Sequence, residues 1–290
     1  MAKTDKIYEM VTDQIIKALE SGNIPWHKPW VGGGGQQNLV SKKAYRGVNP
    51  WILMAQGFES PYWMSYKQAE SLGGNVQKGQ KGTAIVFWNV YSPKVKVGEK
   101  EEKRFTLRYY KVFNAEQCDL PEGTIPEIKA DENVVEPIVA CEQIVADMQN
   151  APMIKEGEPK AFYRQSEDLV NMPKRNLFDG SEEYYSTLFH ELGHSTGHPS
   201  RLGRFSENER HCFGSADYSQ EELIAEFTAA FLCGEAGVVM HTIDNSAAYI
   251  KGWLTKLRDD NKFVFQAAGK AQKAADYILN RKFEKEEKKA

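Results

Sequence analysis

The sequence predicts an α+β fold in two domains, the first mixing helices and strands and the second mostly helical with a small sheet. The chain has 290 residues, more than one typical domain, and 41% of them are hydrophobic, which is enough for two packed cores. Two stretches rich in β-branched and aromatic residues lie in the first half of the chain. Helical periodicity dominates after residue 180.

The N-terminal elements follow from local patterns. Apolar residues recur at helical spacing over residues 3–20 and predict a helix that Ser21 and Gly22 end. A shorter helix is expected from about Ser65 to Leu72, before two glycines. Residues 83–91 and 104–113 predict two strands, joined by the charged stretch 93–103 into a long hairpin with a basic tip.

A proline-containing acidic segment, residues 119–137, predicts the interdomain linker. It separates a domain at 1–118 from a domain at 138–290. After the linker we expect a helix over 141–150 and extended chain over 161–170. A helix that carries the motif described below comes next, and three further helical patterns follow it.

The two halves of the chain differ in charge. Residues 1–114 contain 17 Lys and Arg against 9 Asp and Glu, whereas residues 115–290 contain 20 against 31. The first half therefore carries a net charge of +8 and the second −11. This asymmetry favours a polyanionic partner for the first half, although it could also serve only to dock the halves together.

Cationic and aromatic residues are interleaved in the basic half. Single-stranded nucleic acid is bound by this combination, because cations follow the phosphates while exposed rings stack on unpaired bases. The pattern predicts a single-stranded DNA-binding domain, although core packing is the alternative role for any one of these rings. The candidate DNA-binding residues are Trp26, Lys28, Trp30, Tyr45, Arg46, Trp63, Tyr66, Lys67, Lys78 and Lys81.

The segment His190-Glu191-Leu192-Gly193-His194 predicts a metal site on a helix. Residues four apart share one helical face, so His190 and His194 can bind one ion, and neutral imidazole suits Zn²⁺. Glu191 is placed to accept a proton from water at that ion, which is the zinc-metallopeptidase arrangement. Gly193 would let another backbone approach closely. The alternative is an amphipathic helix with two surface histidines.

A hydrolytic zinc site needs a third protein ligand, and three residues compete for that role. His198 lies four residues after His194, where the helix already breaks at Gly197. Glu222 and Glu226 lie four apart on a predicted second helix. We favour Glu222 as the ligand and Glu226 as the partner of a ligand histidine. Alternatively, Ser219 and Glu222 form a capping box, and Glu226 is the ligand.

Other features exclude several kinds of protein. Cys118, Cys141, Cys212 and Cys233 show no C-x-x-C pairing, so we expect reduced thiols. Gly32–Gly35 lacks the spacing of a nucleotide-binding loop, and no nucleotide cofactor is expected. No apolar run approaches the roughly eighteen residues of a membrane span, and the N-terminus lacks a signal-peptide core. These absences predict a cytoplasmic protein with no membrane partner.

Ordered blocks along almost the whole chain resemble one protein family. Residues 11–16, 25–30, 44–49, 66–69 with 72–74, and 111–114 look like the N-terminal domain of ArdC-type antirestriction proteins. Residues 184–198, with Arg201 and Leu202, resemble the zincin-like C-terminal domain of the same family.

The resemblance implies a single-stranded DNA-binding domain joined to a metallopeptidase-like domain, encoded by conjugative plasmids or related mobile elements. Its implied role is to protect incoming DNA from restriction in a new host, with a restriction enzyme or another DNA-bound protein as the target. By the same resemblance, His190, His194 and a downstream glutamate hold zinc, and Glu191 is the base. Related N-terminal domains also occur on conjugative primases.

Two other functions remain open from the sequence. A DNA-activated protease that removes proteins crosslinked to DNA would have the same two halves. A non-catalytic single-stranded DNA-binding protein with structural zinc would also have them.

Overall fold

The computed structural model describes residues 3–21, 24–27, 35–91, 104–126, 137–178, 180–205, 216–238 and 246–281. These residues form α-helices and three small sheets, with helices dominating the C-terminal part, so the predicted α+β class is confirmed. None of the helices within these ranges has the length and apolar character that a membrane span requires.

The chain divides into two units, and each unit consists of three segments that are separated in the sequence. The first unit comprises Met1–Pro25, Gly34–Ile128 and Leu254–Phe265. The second unit comprises Trp26–Gly33, Lys129–Trp253 and Gln266–Ala290. The sequence predicts one boundary in the linker, and it does not anticipate that a C-terminal segment groups with the first unit.

The helices of the first unit follow their sequence patterns. Ile7, Val11 and Ile15 recur at four-residue spacing along the first helix and are buried, as an amphipathic helix requires. Ser65 and Gln68 form a capping box at the start of the predicted short helix. The helices are α1 (Lys3–Glu20), α2 (Asn49–Met54) and α3 (Tyr66–Ser71).

The strands of the first unit are β1 (Gln37–Asn38), β2 (Tyr62–Met64), β3 (Asn75–Val76), β4 (Thr83–Tyr91), β5 (Arg104–Asn114) and β6 (Cys118–Asp119). The predicted hairpin is present: β4 and β5 pair antiparallel, from Thr83 opposite Val112 to Tyr91 opposite Arg104. The main sheet has the order β1-β2-β5-β4, and β3 pairs with β6. The predicted charged tip of the hairpin lies outside the described residues.

The described residues of the second unit form a three-stranded sheet, with β9 in the centre of the order β7-β9-β8. A short 3-10 turn at Gln165–Glu167 divides the predicted extended stretch into two strands. Its strands are β7 (Met153–Glu156), β8 (Phe162–Arg164) and β9 (Leu169–Met172). The other described helices are α4 (Pro137–Asp147), α5 (Ser181–Ser195), α6 (Ala216–Ala236), α7 (Ser246–Asp259) and α8 (Phe263–Ile278). The end of α7 and the start of α8 group with the first unit.

Helix α6 lies in the core of the second unit. Every residue from Glu221 to Ala230 is buried, as expected for a helix that is apolar on most faces. Helix α5 packs against it at Gly193, where a Cβ atom would come within 3.2 Å of the Ala225 Cα and the Thr228 Cβ. Gly193 therefore permits the predicted close approach of a second backbone.

Candidate metal centre

The two motif histidines lie together on α5. The Nε2 atoms of His190 and His194 are 3.1 Å apart, because residues four apart share one helical face. The His190 side chain is buried and that of His194 is largely buried. This corrects the alternative in which both histidines lie on the surface.

Glu222 on α6 completes a three-residue cluster. Its carboxylate oxygens lie 3.5 Å from the His190 Nε2 and 3.6 Å from the His194 Nε2. Donors about 2.1 Å from a tetrahedral metal ion are separated by about 3.4 Å. Each histidine Nε2 lies near that distance from one oxygen of Glu222, and one donor atom from each of the three residues lies within 4.8 Å of the other two, so the cluster forms a site for a divalent metal.

The other two ligand candidates lie elsewhere. Glu226 places its Oε1 atom 3.9 Å from the His190 Nδ1, the ring nitrogen that faces away from Glu222. His198 Nδ1 accepts a hydrogen bond from the Ser200 backbone N–H and contacts its hydroxyl at 2.7 Å. Helix α6 begins at Ala216, so Ser219 lies inside the helix and does not form the alternative N-cap.

Glu191 is buried beside the cluster on α5. Burial raises the pKa of its carboxyl group above the usual value, against the opposing charges of His190 and His194. The backbone N–H of Tyr163 in β8 donates a hydrogen bond to the carboxylate. A carboxylate that this hydrogen bond holds in place beside the cluster can take up and return a proton.

The charges around the histidines favour a bound cation. Burial lowers the pKa of His190, but the hydrogen bond to Glu222 and the charges of Glu191, Glu222 and Glu226 raise it to about 9. Burial raises the pKa of Glu226. Buried carboxylates are costly unless a positive charge accompanies them, and a divalent ion supplies that charge directly.

A second carboxylate, that of Glu221, faces His194 and is not among the site residues that the sequence predicts. The Glu221 Oε1 lies 3.4 Å from the His194 Nδ1. Arg204 donates to both oxygens of Glu221, at 3.0 Å from Nε and 2.6 Å from an amino group. Glu221 precedes the ligand by one residue, but no local pattern links it to an arginine 17 positions earlier.

Two of the candidate DNA-binding tryptophans are core residues. The Trp26 ring is buried in the second unit, 4.8 Å from Phe227 and 5.7 Å from Trp253. Trp63 is buried in the first unit with Leu53, and its indole N–H donates to a glutamine. Neither ring is exposed for a base to stack on it, which corrects the expectation for both.

The other candidates are distributed between partly buried and exposed positions. Tyr45 and Arg46 are half-buried. Burial raises the pKa of Tyr45 to about 12, although the side chain of Asn38 donates to its hydroxyl and opposes the shift. The exposed candidates are Tyr66, Lys67, Lys78 and Lys81, whereas Lys28 and Trp30 lie outside the described residues.

Four aromatic side chains on the hairpin are exposed and were not among the candidates. Phe87 and Trp88 on β4, and Tyr109 and Tyr110 on β5, are between 40% and 53% exposed. A signal existed in the sequence, because adjacent strand residues point to opposite faces and two neighbouring aromatics cannot both face one core.

The strand register sorts these rings into two faces. Phe87 lies opposite Arg108 and shares its face with Tyr110, whose ring is 5.6 Å away. We name these three residues the Phe87 face. Trp88, Tyr109 and Lys111 lie on the other face, named the Trp88 face.

Comparisons with protein families match both halves of the chain. Residues 5–113 match the family described as the N-terminal domain of anti-restriction factor ArdC. Residues 140–270 match the family described as zincin-like metallopeptidase.

The chain is similar to two solved structures of the antirestriction ArdC protein from the R388 plasmid. The metal-free structure has a TM-score of 0.76 and 37% sequence identity, and the Mn(II)-bound structure has a TM-score of 0.74 and 36% identity. Each match covers 94% of this chain and 97% of the solved chain.

Three curated relatives also align with nearly the whole chain. Two proteins named DNA primase TraC, both from Escherichia coli, are 36% identical over 96% and 94% of this chain. The chain spans only 28% and 20% of their lengths. The protein named y4eC from Sinorhizobium fredii (strain NBRC 101917 / NGR234) is 34% identical over 94% of this chain and 91% of its own.

Proposed function

The chain belongs to the ArdC family of antirestriction proteins, and from this premise we propose that it binds single-stranded DNA and protects incoming DNA from host restriction. The first unit would hold the DNA through the Trp88 face of the hairpin. The second unit would act as a zinc metallopeptidase on a protein that meets the same DNA, such as a restriction enzyme.

Exposed aromatics beside cations are the observation that carries the DNA-binding proposal. On the Trp88 face, Tyr109 and Lys111 are two residues apart along β5, so their Cα atoms lie about 7 Å apart and an aromatic and a cationic side chain project from the same face. Phe113 continues this face and contacts the ring of exposed Tyr66, 6.4 Å away. Cations that follow phosphates and rings that stack on bases are the two requirements for binding a single strand.

The Phe87 face provides a matched control. Phe87 and Tyr110 pack edge to face against each other, so each ring already has an aromatic partner. Trp88 and Tyr109 are exposed to a similar extent. Binding of a fluorescent oligothymidylate, followed by anisotropy, should therefore weaken in Trp88→Ala and Tyr109→Ala, by about 1–3 kcal/mol for each lost stack. Phe87→Ala should bind nearly as the wild type does.

Salt dependence tests the phosphate contacts separately. The logarithm of the affinity should fall linearly with the logarithm of the salt concentration, with a slope of about 0.7 for each phosphate contact to a single strand. Lys111→Ala should reduce this slope. An affinity that stays flat between low and high salt would contradict the proposal, as would equal losses from both faces.

The second unit holds the groups that peptide hydrolysis requires. His190, His194 and Glu222 would hold Zn²⁺, since two imidazoles and one carboxylate form a catalytic zinc set that keeps one position open. The ion, when bound, supplies a Lewis acid that acidifies water and polarises the scissile carbonyl. Glu191 accepts a proton from the attacking water and returns it to the amine nitrogen as the carbon–nitrogen bond breaks. The Tyr163 N–H holds that carboxylate in place.

The antirestriction role is tested with Glu191→Gln in cells that carry a restriction system. Protection of incoming unmodified DNA is compared between this variant and the wild type, after both are shown to fold and to bind zinc. Lost protection would support proteolysis as the mechanism. Retained protection would overturn the peptidase part and place the protective function in DNA binding.

A further inference from the structure

We propose that Arg204 and Glu221 form a positioning pair that orients His194 and thereby sets the metal affinity of the site. The inference rests on the metal site of the proposed function, but not on DNA binding or peptide cleavage. The pair lies beside the ligand cluster, and neither residue belongs to it.

The rings of His190 and His194 have the same orientation relative to Glu222. Both Nε2 atoms face Glu222, so the Nδ1 atoms carry the ring protons once the Nε2 atoms bind metal. Each Nδ1 atom faces a different glutamate of α6: Glu226 for His190 at 3.9 Å and Glu221 for His194 at 3.4 Å. A carboxylate at this position fixes the tautomer and the ring plane of a metal-binding histidine.

Arg204 holds the Glu221 carboxylate in place. The guanidinium binds both carboxylate oxygens, a bidentate geometry that lysine cannot reproduce. It also donates to the Thr196 hydroxyl at 2.7 Å and to the Gly193 carbonyl at 2.9 Å, both near the C-terminus of α5. Arg204 thus connects the helix that carries His194 to the carboxylate that faces His194.

A second arginine nearby provides an internal control. The buried Arg201 side chain binds both oxygens of Asp168, at 2.8 and 2.7 Å, and the Ser195 carbonyl of α5 at 3.0 Å. The two arginines resemble each other in bidentate pairing and in their bond to the end of α5. Arg201 forms its ion pair with a loop carboxylate, Asp168, whereas Arg204 forms its ion pair with Glu221, which faces His194.

The test measures metal affinity and apo-protein stability in the same variants of the full chain. Zn(II) affinity is obtained by competition with a chromophoric chelator, Mn(II) affinity by electron paramagnetic resonance, and stability by denaturant unfolding without metal. Glu221→Ala and Arg204→Met should weaken metal binding about ten- to a hundredfold. Glu221→Gln, which keeps an acceptor oxygen, should recover part of this loss. Arg201→Met should change the affinity less than about threefold, whatever its effect on stability, because it touches no partner of a ligand.

Three results would overturn the proposal: wild-type affinity in Glu221→Ala, wild-type affinity in Arg204→Met, or an equal loss of affinity in Arg201→Met. The last result would show that both arginines act only through the fold. If Arg204→Met does not fold, the comparison of Glu221→Ala with Glu221→Gln decides. A peptidase that proves inactive leaves these affinities interpretable, whereas a wild type that binds neither metal refutes the site itself.

Discussion

The two units place their functional groups in opposite environments. The metal centre buries charged groups, since Glu191, Glu222 and His190 lie in a packed core. The hairpin exposes apolar ones, because Trp88 and Tyr109 extend into solvent. Both arrangements reverse the usual distribution, in which charges face water and aromatic rings are buried.

This contrast indicates what each site requires. A cluster of buried carboxylates is destabilised until a cation enters, so the second unit favours a metal ion before any substrate is considered. An exposed group of rings loses little by remaining in water, and it gains when a flat partner covers it. Loss of a buried group should therefore affect stability or metal affinity, and loss of an exposed ring should affect binding alone.

The largest expected effect separates two of the glutamates of α6, Glu222 and Glu226. Glu222→Ala removes a ligand and should weaken Zn(II) binding by more than about a hundredfold. Glu226→Ala removes a group that faces only the Nδ1 atom of His190, and this variant should weaken Zn(II) binding about ten- to a hundredfold. Chelator competition measures both. The reverse order would make Glu226 the ligand.

Two tryptophans test the environments directly. Trp63 is fully buried, and Trp63→Ala should lower the free energy of unfolding by about 3–5 kcal/mol. Trp88 is half-exposed, and Trp88→Ala should change it by less than about 0.5 kcal/mol. Denaturant unfolding distinguishes the two. A large loss of stability in Trp88→Ala would mean that its ring is part of the core.

Two glycines test the contact between α5 and α6. In Gly193→Ala the new methyl group would meet the Ala225 backbone, so the free energy of unfolding should fall by about 1–3 kcal/mol. Gly269 lies in α8, and the described residues leave open space where its methyl group would stand. Gly269→Ala should therefore raise the free energy of unfolding by about 0.5–1 kcal/mol through helix propensity. Equal effects in denaturant unfolding would show that close helix packing is not the constraint at Gly193.

The smallest effect concerns acid stability. Burial raises the pKa of Asp168, but the hydrogen bonds from Arg201 and Tyr163 lower it by a larger amount, so the net shift of the pKa is downward. A carboxylate with a lowered folded-state pKa stabilises the fold above its unfolded value of about 4, and this contribution disappears as the pH falls through the folded value. The stability difference between wild type and Asp168→Asn should thus shrink from about pH 6 to about pH 3 in denaturant titrations. A difference that grows as the pH falls would contradict this sign.

Features governed by local spacing could be predicted from the sequence. Helix α1 has the predicted bounds, Lys3–Glu20, and the paired strands β4 and β5 lie where β-branched and aromatic residues cluster. His190 and His194 converge because helical geometry alone brings residues four apart together.

Features that depend on distant contacts could not be predicted. Glu222 and Glu226 share one helical face, and only the rotation of α6 against α5 determines which carboxylate meets both Nε2 atoms. Trp26 precedes His27 and Lys28 in the basic half of the sequence, yet its partners Phe227 and Trp253 lie about two hundred residues away. The pairing of Arg204 with Glu221 likewise depends on tertiary packing.

One buried helix, α6, carries Glu221, Glu222 and Glu226, and these carboxylates therefore move together. A small rotation of α6 would displace the Glu222 carboxylate of the candidate metal site and both carboxylates that face the histidine Nδ1 atoms, while disturbing the packing at Gly193. Metal occupancy and the order of this helix are thus thermodynamically linked. Hydrogen exchange should report that link as slower amide exchange along α6 when Zn(II) is added, at positions well removed from the ion itself.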